Sequence, residues 1–210
     1  MDAILTHDNT DFDALAALLG AKKIYADAIA ILPHRMNRNV RDFCALYVDA
    51  LPFTRPDDLP RQKFHAVVIV DTQGVQSTRG VTPQTQIHFI DHHPLARNLK
   101  SGMTFFGGET GATTTLFVEQ ISEKELPLTP IEATLLLLGI YEDTGSLSYI
   151  TTTHRDARAA AYLMEHGASL SVVNDFSHHP LTDEQHKLYH RLIDRIETVQ
   201  IAGHAIVIAA

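Results

Sequence analysis

The 210 residues include a single cysteine, Cys44, so no disulfide can form within the chain. Cys44 falls in a helix-like segment and is expected to act as a small buried apolar residue. The lack of a disulfide framework suits a reducing compartment. No apolar run approaches the roughly 18 residues of a membrane span. Met1 leads straight into a strand-like stretch, without a basic leader or cleavage site, which predicts no signal peptide and a cytoplasmic location. Basic residues are also in short supply: 17 Lys and Arg stand against 25 Asp and Glu, for a formal net charge of -8. Non-specific nucleic-acid affinity rests on Lys and Arg contacts to phosphate, so that class of binder is disfavoured. A phosphate substrate is not excluded, because divalent cations held by the acids would reverse the local sign. Internal repeats, low-complexity tracts and Ser/Gly linkers are absent as well.

What is there is an ordinary globular balance, with 45% hydrophobic and 20% charged residues. Residues 2–6 read as a strand. Residues 11–23 read as an amphipathic helix, with Phe12, Leu15, Ala16, Leu18 and Leu19 at helical spacing. A strand over 28–32 and a helix over 38–50 follow, the helix presenting Val40, Phe43, Cys44 and Tyr47 on one face. The proline-bearing stretch 51–61 is expected to be a loop. Residues 65–70 form a continuous apolar run ending in Asp71, as in a strand buried on both faces, and 86–90 form another ending in Asp91. The glycine-rich turn 107–111 opens a helix over 112–124. Thr129 is placed as an N-cap with Pro130 at the first helical position. The helix it starts is very apolar over 135–140 and therefore central, with Asp143 just after it. A helix over 153–167 has Gly167 as its C-cap. Thr182 caps a long helix to about 200, and 203–210 look like a strand. Strands alternating with helices predict an α/β fold with a mostly parallel sheet flanked by helices. Residues 1–185 are expected to form one domain. Residues 186–210 would then be the connecting helix and first strand of a truncated C-terminal companion.

The acids and histidines fall at element ends. His7, Asn9, Asp11 and Asp13 follow the first strand, Asp71 follows the third, and Asp91, His92 and His93 follow the fourth. Open parallel sheets bind ligands beyond the carboxyl ends of their strands, so these groups should converge, with Asp143 completing them. Singly, Asp11 and Asp13 would serve as helix-dipole acids and Asp71 as a turn cap. Together, so many carboxylates would raise one another's pKa values unless cations neutralise them. Mixed carboxylate and imidazole donors suit manganese, iron, cobalt or zinc better than calcium.

Four ordered motifs then give the chain a resemblance. His7-Asp8-Asn9-Thr10-Asp11-Phe12-Asp13, Val70-Asp71-Thr72-Gln73, Asp91-His92-His93-Pro94 and Glu142-Asp143-Thr144-Gly145 resemble, in order, the motifs of the DHH phosphoesterase superfamily. That family includes exonucleases, phosphodiesterases of short oligonucleotides and cyclic dinucleotides, and pyro- and polyphosphatases. Residues 139–167 are similar in particular to DHH domains fused to CBS and tRNA nucleotidyltransferase or poly(A) polymerase-like domains. The resemblance implies a pair of divalent ions, manganese first with magnesium, cobalt or iron as substitutes. His7 and Asp11 would hold one, Asp13, His92 and Asp143 the other, and Asp71 both. It implies that Asp91 orients the His92 ring and that His93 faces the substrate phosphate, the two acting in catalysis. It further implies a phosphate-ester substrate such as a short oligonucleotide or dinucleotide, further RNA-processing domains on the same protein, and a homodimer as an assembly state. Pyrophosphate or polyphosphate hydrolysis, and a non-catalytic RNA- or nucleotide-sensing module, stand as alternatives.

Three further signals have simpler readings. His178-His179-Pro180 repeats a motif but follows no buried strand, and is expected to be a surface loop. His186 and His190 lie one helical turn apart, yet Lys187 stands where a zinc-protease helix has Glu, so an exposed face is expected. The amides opening the helix after Gly107-Gly108-Glu109-Thr110-Gly111 could meet a substrate phosphate through Gly111 and Thr113, or simply close a capped turn.

Overall fold

The computed structural model describes residues 1–75, 78–96, 98–177 and 182–209. The chain divides into two units, Met1–Ser177 and His178–Ala210.

The first unit is built on one sheet of six strands: β1 (Ala3–Leu5), β2 (Ile29–Ile31), β3 (Phe53–Thr54), β4 (Ala66–Val70), β5 (Gln86–Ile90) and β6 (Met103–Phe106). They lie in the order β3-β2-β1-β4-β5-β6, and every neighbouring pair is parallel. The chain leaves β1 toward β2 and β3, then returns to lay β4 on the other side of β1. The strand order thus reverses between β1 and β4, the place where such sheets open a crevice at their carboxyl edge. All carboxyl ends point the same way, so His7, Asp71 and Asp91 meet at that edge.

The helices are α1 (Phe12–Ile24), α2 (Arg38–Tyr47), α3 (Thr113–Glu123), α4 (Pro130–Thr144), α5 (His154–Glu165) and α6 (Leu170–Ser177). Strand alternation divides the interior into two cores. Ile4, Val68, Val70 and Ile90 face the core to which all six helices contribute. Ala3, Leu5, Ile31, Val67, Ile69, Ile87 and Phe89 face the other, covered by Leu59, Phe64 and Val81 from connecting segments. Cys44 is buried in the helical core, where burial pushes its thiol up to about 11.

Some expectations change. α1 is buried on every side from Phe12 to Ala21, not on one face, because α3 and α4 cover the side turned away from the sheet. Thr129 does cap α4, in a reciprocal pair with Glu132, but the helix runs to Thr144, so Asp143 lies in its last turn rather than after it. The proline-bearing stretch 51–61 includes the two-residue strand β3. The strand β6 had no counterpart among the elements expected from the sequence. β6 is an edge strand with Thr104 and Phe106 exposed, so its pattern has no strong apolar face.

In the second unit, α7 spans Asp183–Asp194 with Thr182 as its cap. The helix expected to reach about residue 200 ends there. β7 (Ile196–Ile201) and β8 (His204–Ala209) pair antiparallel. Ile196, Thr198, Val199 and Ile201 are β-branched and favour strand. Ala202 and Gly203 both take positive φ, 51° and 84°, as a two-residue hairpin turn requires. α7 lies whole within this unit. His186 and His190 are exposed on α7, their rings 6.2 Å apart. Residues 178–180 lie outside the described residues. Among the described residues no helix is long and apolar enough to cross a membrane.

Candidate metal centre

Asp11 is the N-cap of α1, accepting the Ala14 amide at 3.0 Å. Two residues on, Asp13 is fully buried. Before the cap, Asn9 takes φ 60°, and the Thr10 hydroxyl donates to the His7 carbonyl at 2.6 Å. This tight turn swings His7 over the sheet edge. Asp71 leaves β4 at φ 55°, which turns its carboxylate back toward β1. Such left-handed backbone in a non-glycine residue costs energy and clusters at functional sites.

Donor atoms of His7, Asp11 and Asp71 lie within 4.8 Å of one another; so do those of Asp13, His92 and Asp143, and those of Asp71, Asp91, His92 and His93. Asp71 and His92 each belong to two groups, so the eight residues form one continuous cluster. All the residues expected as metal donors are therefore brought together.

His92 has the orientation of a ligand. Its Nδ1 lies 3.1 Å from the Thr110 carbonyl, an acceptor only, so Nδ1 carries the proton and Nε2 presents a lone pair. That buried Nε2 has no hydrogen-bond partner and stands 3.5 Å from Asp143 Oδ2. A bare nitrogen facing a carboxylate oxygen is electrostatically unfavourable until a cation or proton lies between them. His7 repeats the pattern: Nδ1 is 2.9 Å from the Asp8 carbonyl and Nε2 is 3.5 Å from Asp71 Oδ2.

The protonation energetics agree. Burial first, then Asp13, Asp71, Asp11 and Glu142, push the Asp143 carboxyl up to about 9. Burial raises Asp13, although the Thr114 hydrogen bonds oppose the rise. Burial and then the Asp13 charge raise Asp71 well above the carboxylate range. The hydrogen bond to Asp71 lifts His7 to about 9 against burial. The His7–Asp71 pair shares one proton and holds it to unusually high pH. A site that retains protons at neutral pH in this way is one that divalent cations would occupy by displacing them.

Two expectations are corrected. Asp91 does not orient the His92 ring. Its Oδ1 accepts the His93 amide at 3.0 Å and lies 2.8 Å from His93 Nδ1, a turn closed two residues along the chain. Gln73 Nε2 donates to its Oδ2 at 3.2 Å. Asp91 thus fixes His93, whose side chain is 61% exposed. The amides of Gly111 and Thr113 are likewise engaged within the chain, not free for a phosphate. The Thr113 and Thr114 amides donate to Asp13 at 2.7 and 2.9 Å, so the N-terminus of α3 receives an anion from the chain itself. The Gly111 amide donates to Asp156 at 2.9 Å.

The sequence pointed Thr113 at the substrate, placed Glu142 in the fourth motif without a role of its own, and gave Asp156 none. The Thr113 hydroxyl donates to Asp71 Oδ1 at 2.8 Å and accepts the His92 amide at 3.2 Å. Glu142 accepts the Phe12 amide, and burial lifts its carboxyl to about 7. Asp156 completes the capping box of α5 with Thr153 and accepts from Thr115 at 2.6 Å. Burial pushes its carboxyl up, but hydrogen bonds from Thr115, Thr153 and Gly111 outweigh it and hold the carboxyl low. The Thr153-to-Asp156 capping spacing was the one signal available for it.

Residues 3–140 match the family model described as the DHH family, N-terminal domain. The chain is 37% identical over 218 aligned residues to the A-adding tRNA nucleotidyltransferase of Geobacter sulfurreducens, covering 100% of this chain and 24% of that protein. It is 33% identical over 101 residues to the bifunctional oligoribonuclease and PAP phosphatase NrnA of Mycoplasma genitalium, covering 48% of this chain and 32% of that protein. It therefore spans between about a quarter and a third of the length of these relatives. In fold it is similar to an exopolyphosphatase-related protein from Bacteroides fragilis, with a TM-score of 0.69 at 14% identity over 93% of this chain and 61% of that one. With its motifs, its sheet and the family match in agreement, the chain belongs to the DHH family.

Proposed function

We propose that the chain is a metal-dependent phosphodiesterase domain that hydrolyses short oligonucleotides or dinucleotides, cyclic ones included, and works in the cytoplasm. The observation that supports this most is His92, a partly buried imidazole held by the Thr110 carbonyl with its buried, bare Nε2 turned to Asp143. A purely structural histidine has no need of that arrangement.

In this reading His7, Asp11 and Asp71 would hold one divalent ion, and Asp13, His92 and Asp143 would hold the other. Manganese is the expected metal, with magnesium, cobalt or iron as substitutes. Such ions, when bound, polarise a phosphoryl oxygen and lower the pKa of water. The protein's own residues do the rest. The amides of Thr113 and Thr114 hold Asp13 still, Thr113 holds Asp71, and the main chain sets both imidazole tautomers. His93 projects from the cluster with Nδ1 on Asp91, and when the ring carries a second proton its outward Nε2–H can donate to a phosphoryl oxygen or to the leaving group. An oligoribonuclease is among the relatives, which supports an oligonucleotide substrate. Residues 186–210 are read as the connection to a companion domain and its first strand. Further RNA-processing domains on the same protein are expected, and a homodimer is an assembly to test.

The nucleotidyltransferase relative favours a second reading, a nucleotide- or RNA-sensing module that does not cut. Metal content of the purified chain, followed by turnover of a dinucleotide beside pyrophosphate, separates the possibilities. Manganese-dependent release of mononucleotides supports the phosphodiesterase. Cleavage of pyrophosphate alone replaces it with a pyrophosphatase. Bound metal without turnover of either supports the sensing module.

A further inference from the structure

On the β2–β3 side of the acidic cluster, the carboxyl edge of the sheet opens into a cleft of about 640 Å³. That lies within the roughly 300–1,000 Å³ of small-molecule sites. Thr6 and Asp8, the neighbours of His7, line it, so the cleft and the cluster share one strand end.

The lining has two characters. Leu5, Ile31 and Leu59, all members of the second core, meet Pro33 and Pro56 to form an apolar floor and wall. Around them stand Asp8, Asp57, His34 and Arg79. His34 and Arg79 are exposed, and among the described residues neither side chain is engaged in a hydrogen bond or ion pair. Apolar surface beside an available guanidinium, an imidazole and carboxylates suits a ligand that is itself both flat and apolar, and charged.

We propose that this cleft receives a nucleoside of the substrate, the base against the apolar floor, while the scissile phosphate lies at the cluster. Arg79 and His34 then face the next phosphate along, and Asp8 or Asp57 accepts from a ribose hydroxyl or an exocyclic amine. Pyrophosphate has no apolar part to cover Leu5, Ile31 and Leu59, so the cleft selects nucleotides over inorganic phosphates. The inference rests on the phosphodiesterase reading above, but its test does not need turnover.

Photo-crosslinking of the 210-residue chain with 8-azidoadenosine 5′-monophosphate in the presence of manganese, followed by peptide mapping, locates the base directly. The expected label falls on residues 31–34, 56–59 or 78–79 and is competed by unlabelled adenosine monophosphate but not by equimolar phosphate. Arg79→Glu, at an exposed position, is expected to cut that labelling at least about fivefold while the thermal melt stays in place. Label confined to other peptides, no competable label, or full labelling of the variant overturns the inference. Dinucleotide hydrolysis measured on the same preparation keeps the two claims apart. Hydrolysis with label elsewhere overturns the cleft alone, whereas label in the cleft without hydrolysis supports the cleft and counts against the phosphodiesterase.

Discussion

The Thr113 hydroxyl donates to Asp71 Oδ1 at 2.8 Å, tying the first turn of α3 to the carboxylate at the end of β4. The same oxygen accepts the His92 amide, so one buried side chain registers two of the candidate ligands. Partners of this kind orient ligands and typically change metal affinity or activity by about 10–100-fold when lost. Thr113→Val keeps the shape and removes the hydroxyl. It is expected to weaken manganese binding or turnover by about that range, and a titration that matches wild type would count against the role.

Asp71 joins two of the three donor groups, so it is expected to be the most damaging single position. Asn tolerates left-handed backbone better than most residues, which makes Asp71→Asn compatible with φ 55°. The variant should fold, bind manganese poorly and lose more than about 100-fold in turnover, beyond the range of a supporting residue. Near wild-type turnover in folded, metal-loaded protein would remove Asp71 from the centre.

Protonation makes the metal-free protein sensitive to alkali. Asp143 is raised to about 9 and Glu142 to about 7, both first by burial, and His7 is raised to about 9 by its hydrogen bond to Asp71. For each, the folded state holds its proton to higher pH than the unfolded state. Between pH 6 and 9 the folded chain therefore binds more protons, and stability falls as pH rises. The melting temperature in chelator should drop across that window, and calorimetry at pH 7 in two buffers should show protons released on manganese binding. A melting temperature that climbs from pH 6 to 9 contradicts the assignment of these shifts.

Gly139 sits where α4 crosses α1 and α3. A Cβ there would stand 2.6 Å from Ala16 Cβ, 2.7 Å from Thr114 Oγ1 and 3.0 Å from the Phe12 carbonyl. Thr114 Oγ1 also donates to the Asp13 carbonyl, so the helices that meet here are those that bring Asp13 and Asp143 together. Gly139→Ala should destabilise by about 1–3 kcal/mol, the usual cost of overpacking, and lower metal affinity as well. Chemical denaturation that shows no loss would mean that the helices separate more easily than their packing implies.

The parts of this molecule that sequence made legible are those where chemistry and periodicity coincide. Apolar runs ending in Asp71 and Asp91 marked β4 and β5, and Thr129 with Pro130 marked the start of α4. The motif residues located the cluster because a parallel sheet brings its strand ends to one edge. What stayed hidden depends on contacts between distant segments. Nothing local says that the α3 amides would meet Asp13 from α1 rather than a ligand, or that Thr110 rather than Asp91 would hold His92. β6 was missed because an edge strand has little apolar patterning. The helix expected to reach about residue 200 was drawn too long because the charged, helix-favouring residues of α7 run directly into the β-branched positions of β7.

The most direct test of the metal centre is the paramagnetic resonance spectrum of the chain titrated with manganese. The account predicts two ions bound per chain, with the exchange-coupled spectrum of metals about 3.5–4 Å apart, lost on chelation and in Asp71→Asn. A single uncoupled manganese signal at saturation, or no bound manganese at all, would contradict it.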